Sequence, residues 1–258
     1  MIHNDVIDTL LNRKSIRKYQ RRIPTGEEIE TLARAAQQAP FAGQMCSLLL
    51  KRDSSRIPYN APLLFTICFD MYKLEKIMSR RGWNVGTCDL ALFLFGVQDA
   101  TLMAENLVIA AECLGMGSCF IGDAPYHAAK IREEYQLPER VFPIVRLVVG
   151  FPDEDPPPRP RYPMEYFLFE GRYPELTNEM VEGAMAEMDT GYLAQDYYRE
   201  ADYMVPLDDG RRETYSFENY GWTEHMCRKW GQWTRNPRSL VESLGACGFD
   251  LSSSTDQD

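Results

Sequence analysis

Apolar positions are unevenly spread along the chain, and their spacing predicts its elements. Residues 88–122 are the most apolar stretch. Residues 90–97 are apolar on every side of a helix, so that half is expected to meet protein all round, with a partner subunit sharing it. Gln98, Thr101, Glu105 and Glu112 then recur as a polar stripe at helical spacing. Gly115 reads as the helix stop in the left-handed region, and residues 117–121 as a short buried strand closed by Gly122. The run is long enough to span a membrane. Asp89, Gln98, Asp99, Glu105, Asn106 and Glu112 are too many polar groups for lipid, so it reads as a buried central helix.

The rest of the chain is organised around that helix. Residues 5–12 form an amphipathic helix with Val6, Ile7, Leu10 and Leu11 on its inner side. Thr25 and Glu28 make a capping box for a second helix, which ends near Gln38 before Ala39-Pro40. Residues 47–51 and 63–69 are strand-like, the second too apolar for an exposed edge. A helix over 71–81, the central run, a small helix over 125–135 and a buried strand over 142–150 complete an α+β fold, a layered sheet with helices packed over it. Residues 151–163 are proline-dense and predict a semi-rigid connector. The organisation expected is therefore residues 1–163 as one domain and 164–250 as an extension packing on a partner subunit. Helical patterns fall at 176–188 and 221–244 of that extension, and 251–258 is expected to be a disordered tail.

The chain has 258 residues with 45% hydrophobic content, enough for a full core. A net charge of −10 argues against nucleic acid or an anionic membrane as partner, so a local cluster of arginines has to serve a purpose. The N-terminus lacks the basic and apolar regions of a signal peptide, and the seven cysteines read as reduced core thiols of a cytoplasmic protein. With no CxxC or HxxxH and three scattered histidines, no zinc site is expected.

Arg13, Ser15 and Arg17 alternate along an extended turn, and Arg159 and Arg161 form a second alternating pair. Each set alone fits a solvated basic turn or linker. Together, in an acidic protein, they suggest one anion site closed by two distant segments and suited to a phosphate. The glycines at 115 and 117 do not make a dinucleotide loop, because Phe120 stands where the third is needed and a helix precedes them. Asp99 and Asn106 are candidate catalytic groups, although buried polar groups of this kind more often satisfy backbone.

Four stretches in this order carry a resemblance: Arg13-Lys14-Ser15-Ile16-Arg17 after a short helix, Ala39-Pro40, the run from Asp99 to Asn106, and the run from Leu114 to Gly122. They resemble the FMN-dependent nitroreductase family. Arg159-Pro-Arg161 and the later Arg211-Arg212 resemble its larger oxygen-insensitive NADPH subgroup. The resemblance implies a homodimer holding FMN at the subunit interface, NADPH or NADH as electron donor, and a small-molecule acceptor. It places Arg13, Lys14, Ser15 and Arg17 at the FMN phosphate and ribityl chain, with Arg159 and Arg161 as a second basic pair there. It brings Ala39, Pro40 and Phe41 from the partner subunit to the ring, sets Ile121 and Gly122 beside the isoalloxazine, and assigns Arg211 to the NADPH 2′-phosphate. The reaction it implies is ping-pong two-electron transfer to nitroaromatics or quinones.

Three departures from the family pattern bear on that reading. Phe41-Ala-Gly-Gln44-Met-Cys46 follows Pro40, leaving Gln44 as the amide able to reach the flavin. The connection over residues 53–60 is short and lacks glutamine. Asp123 stands where a second glycine is common, and a free carboxylate there would disfavour the anionic reduced flavin and acidic substrates. Asp123 and the missing glutamine motivate a flavin enzyme of another reaction, such as reductive dehalogenation or a flavin-consuming oxidation. A non-catalytic flavin-binding protein is the third reading.

Overall fold

The computed structural model describes residues 1–52, 56–208, 210–232 and 238–251. The chain divides into two compact units, Met1–Pro156 with Asn236–Asp258, and Pro157–Arg235.

In the first unit the order is α1 (Asp5–Asn12), α2 (Gly26–Gln37), β1 (Cys46–Arg52), β2 (Leu63–Asp70), α3 (Tyr72–Arg80), α4 (Asp89–Cys113), β3 (Gly117–Ile121), α5 (Ala128–Tyr135) and β4 (Val141–Gly150). Among the described residues the strands form one antiparallel sheet in the order β1-β2-β4-β3. Every residue of β2 is buried, as expected of an internal strand without polar alternation. The Thr25–Glu28 capping box forms in full, satisfying backbone donors that the first turn of α2 leaves open. Gly115 takes φ 71 after α4, where a side chain would be strained.

The central helix buries Leu92, Gly96, Ala100, Met103, Ala104, Leu107, Val108 and Ala111, spaced by three or four residues against α2 and the sheet. At Gly96 the approach is so close that a Cβ would lie 2.0 Å from the Phe69 ring. Two polar members of the helix are bound to protein: Asn106 Nδ2 donates to the Ala35 carbonyl at 3.1 Å, and Asp99 accepts three backbone N–H groups.

One expectation about an apolar face needs correcting, and a second is left open by a single chain. Val6, Leu10 and Leu11 of α1 do not face the core; they are 58%, 46% and 49% exposed. Leu90, Leu94 and Phe95 of α4 are 47%, 56% and 48% exposed. Periodicity marks a face as apolar but not which body covers it, and the described residues of this chain leave these side chains about half exposed.

The second unit contains α6 (Asn178–Ala194), the short α7 (Tyr197–Glu200) and α8 (Trp222–Gly231). Its core is aromatic: Tyr198 and Tyr220 are buried, and Tyr192 and His225 stack on Tyr198. The expected single helix over 221–244 is two, α8 and α9 (Arg238–Ala246), with residues 233–237 outside the described ones. The boundary expected at 163 falls after Pro156. α9 also departs from the partner-packing arm, because it belongs to the first unit of its own chain. There Leu244, Cys247 and Phe249 join the core around Phe69 and Phe142. Residues 252–258 of the expected tail lie outside the described residues.

Candidate functional site

After α1 the chain runs as a strap along β3. Ser15 bridges to Ser118, and Ile16 N–H donates to the Ser118 carbonyl at 2.9 Å. Tyr19 then bridges to Pro152, and Gln20 N–H donates to the Phe151 carbonyl at 2.9 Å. The strap can lie this close because residue 117 is glycine; a Cβ there would meet Ile16 Cγ1 at 2.4 Å. Glu154 accepts the backbone N–H groups of Arg17 and Lys18, so an acidic turn fixes the strap's backbone from the other side.

This arrangement brings Arg13, Lys14, Ser15 and Arg17 together, half-buried, beside the start of β3. Lys14 Nζ pairs with Asp155, and Glu112 lies near enough that Arg13 and Lys14 partly offset the upward push of burial on its carboxyl. The Ser118 hydroxyl is buried and has no hydrogen-bond partner among the described residues. Tyr19 OH donates to the Ile16 carbonyl at 2.6 Å, and burial pushes its pKa up, so it stays protonated.

At the other end of β3 stand Ile121, Gly122 and Asp123. Open space lies beside Gly122 where a side chain would project. Asp123 does not present the free charge expected of it, because Arg146 of β4, in register with Ile121, holds the carboxylate bidentately. His127 Nε2 stands 3.6 Å from the same carboxylate. Arg146 is the site residue that sequence reasoning missed. Its signal was an arginine inside a buried strand, which demands a partner.

Ala39, Pro40, Phe41 and Gln44 gather elsewhere, with Asp99 and Lys73, around a cleft of about 620 Å³ beside α2 and β1. Asp99 shapes this loop: its carboxylate accepts the N–H groups of Ala42 at 2.6 Å, Gly43 at 3.1 Å and Met45 at 2.9 Å. The role foreseen for Asp99 as a backbone acceptor is what the structure shows. Gln44 sits at φ 51 within this turn. β1 and β3 are opposite edges of the sheet, three strand spacings or about 14 Å apart. One chain therefore carries two separate halves, the basic strap with Gly122 on one edge and the Pro40 loop on the other.

Arg159, Arg161 and Arg211 belong to the second unit. Arg159 lies over the Tyr197 ring at 4.1 Å and donates to Gln195 Oε1 at 2.6 Å, while Arg161 donates to the Arg159 and Pro160 carbonyls. Arg211 is exposed in a stretch without helix or strand. Of the short connection over 53–60, residues 53–55 lie outside the described ones.

No family model matches the chain. It is 30% identical over 229 residues to the FMN reductase (NADPH) of Bacillus subtilis strain 168, covering 83% of this chain and 89% of that one. It is 27% identical over 206 residues to the NADPH-flavin oxidoreductase of Vibrio harveyi, covering 74% and 84%. Among solved structures, the NfrA1 nitroreductase of B. subtilis superposes with a TM-score of 0.78 at 27% identity, over 95% of this chain and 99% of that one.

Proposed function

Because the chain belongs to the nitroreductase family, in its subgroup of NADPH-dependent flavin oxidoreductases, we propose that it holds FMN along β3 and works as a homodimer. It is an NADPH-dependent oxidoreductase of flavin chemistry. The observation that carries the FMN reading is the basic strap docked at one end of β3 with open space beside Gly122 at the other. From Ser118 to Gly122 the strand spans about 13 Å, a distance suited to a ribityl chain linking a phosphate to its ring.

Two guanidinium groups and a hydroxyl are the donor set a phosphate dianion needs. Arg13, Ser15 and Arg17 would bind it, with Lys14 lining the turn and tied to Asp155. Ile121 and Gly122 would border the ring with backbone, and the Arg146–Asp123 pair would present it a neutralised carboxylate. Bound FMN supplies a two-electron store between nicotinamide and acceptor. Ala39, Pro40, Phe41 and Gln44, too far from the strap within one chain, would complete the site from the other subunit across the exposed apolar faces of α1 and α4. Arg211 would hold the 2′-phosphate of NADPH. The acceptors proposed are free flavin, nitroaromatics and quinones. The Asp123 argument for a different reaction loses its force once that charge is matched by Arg146.

Anaerobic titration of the FMN-loaded protein tests the proposal. NADPH should bleach the flavin and a nitroaromatic, quinone or free FMN should recolour it, with NADH weaker. A protein that cannot be loaded with FMN, or whose flavin stays oxidised with both nicotinamides, would overturn it.

A further inference from the structure

Among the described residues, the most deeply buried charge in the second unit lies outside every role given so far. Arg228 of α8 is 2% exposed. Its Nε donates to Glu224 at 2.7 Å, and its Nη1 donates both to the Val205 carbonyl at 3.0 Å and to Glu213 Oε2 at 2.6 Å. Nη2 takes the other Glu213 oxygen at 2.8 Å, and the rings of Tyr215 and Tyr220 lie 5.3 and 5.0 Å from the guanidinium carbon. Burying a guanidinium is unfavourable unless each donor is matched, and here the matches join parts of the chain that no ladder connects.

Val205 and Glu213 flank a stretch whose described residues, 206–208 and 210–212, form no helix or strand. Its first arm is also tied to α8 through Gln232, which donates to the Pro206 carbonyl and accepts Asp208 N–H. Its second arm is fixed where Glu213 accepts the N–H groups of Thr214 and Tyr215. Between these anchors lie Arg211 and Arg212, both exposed. One guanidinium thus closes both ends of a loop that displays two others.

We propose that Arg228 is the positioning residue of the nicotinamide 2′-phosphate site: by clamping Val205 and Glu213 it presents Arg211 and Arg212, and so sets the preference for NADPH over NADH. This rests on the reading of Arg211 given above. A phosphate monoester gains most from guanidinium groups already held in place, because less side-chain and loop freedom is lost on binding. The ligand class is an adenosine carrying a 2′-phosphate.

The test uses the FMN-loaded enzyme and the ratio of kcat/KM for NADPH to that for NADH. R211Q should lower the ratio at least tenfold. R228Q and E213A should each lower it fivefold or more through KM for NADPH, and weaken competitive inhibition by adenosine 2′-phosphate by a similar factor. If R211Q collapses the ratio while R228Q and E213A hold it within twofold, the clamp is overturned and the 2′-phosphate reading survives. If R211Q leaves the ratio within twofold, the phosphate binds elsewhere and both fall. Equal losses with the two nicotinamides in R228Q and E213A would mean a folding role only, which also overturns the clamp. Should R228Q fail to fold, E213A decides, since the Glu213 side chain is 42% exposed and its truncation leaves Arg228 paired with Glu224.

Discussion

Arg146 donates through Nη2 to both carboxylate oxygens of Asp123, at 2.7 and 2.8 Å, and through Nε to Oδ1 at 3.2 Å. The pair turns what the sequence presents as a lone negative charge beside Gly122 into a dipole with no net charge. Arg146→Gln should therefore lower the midpoint potential of bound FMN, because the uncovered carboxylate opposes the electrons arriving on the ring. Asp123→Asn should move it the opposite way, and the double variant should return near wild type. Spectroelectrochemical titration of the three variants reads this directly. Equal potentials in all three would place the pair too far from the ring to matter.

The Asp99 carboxylate is the post on which the Pro40 loop is wound. Oδ2 takes both Gly43 and Met45 N–H, and Oδ1 takes Ala42 N–H. Asparagine cannot replace it, since whichever way the amide turns its NH₂ meets at least one N–H donor. Hydrogen bonds to charged groups contribute about 1.5–3 kcal/mol each, so Asp99→Asn is expected to destabilise the chain by about 2–4 kcal/mol in urea unfolding. Hydrogen exchange at Ala42, Gly43 and Met45 should accelerate before the sheet does. Loss spread evenly over the sheet would show that Asp99 supports the core and not the loop.

How much of this could be read from residues alone divides along physical lines. The capping box at Thr25, the left-handed stop at Gly115 and the buried β2 were legible because each depends on neighbours in sequence. Asp99 was legible only as a buried acid in need of donors; that these would be three N–H groups more than fifty residues earlier is a tertiary fact. The Arg146–Asp123 pair was missed because its partners meet only through the β3–β4 register. The same holds for Arg228, whose helix was foreseen while its loop was not. α8 and α9 were read as one helix although Pro237, a stop signal legible in the sequence, lies between them.

Acid should loosen the second unit before the first. His225 is stacked on Tyr198 at 4.5 Å, faces Tyr203 and has Nδ1 3.3 Å from Tyr220 OH. Burial, with Lys229 nearby, holds its pKa below the ordinary 6.5. Burial pushes the Tyr198 and Tyr220 hydroxyls up, so neither tyrosine titrates in this range. Below pH 6.5 the unfolded chain thus binds a proton that the folded one resists, and stability falls as pH drops through that window. Tyrosine fluorescence and thermal unfolding between pH 7.5 and 5 should show the loss, and His225→Phe should flatten it. An unchanged slope in His225→Phe would assign the acid sensitivity elsewhere.

The exposed apolar faces make the strongest demand on a second subunit. Leu94 is 56% exposed on α4, with Leu90 and Phe95 beside it, and the Pro40 loop stands on the sheet edge opposite the strap. A glutamate at 94 should change the stability of an isolated chain by no more than about 0.5 kcal/mol, as surface substitutions do. Across a two-fold interface it would instead bury a charge, and like charges brought together cost several kcal/mol. Leu94→Glu is therefore expected to give a folded monomer by sedimentation equilibrium, with bound FMN falling at least tenfold because each site loses its second half. A variant that stays dimeric and yellow would move the interface off α4. A monomer that keeps its flavin would show that one chain completes the site, and the two-subunit site would have to be abandoned.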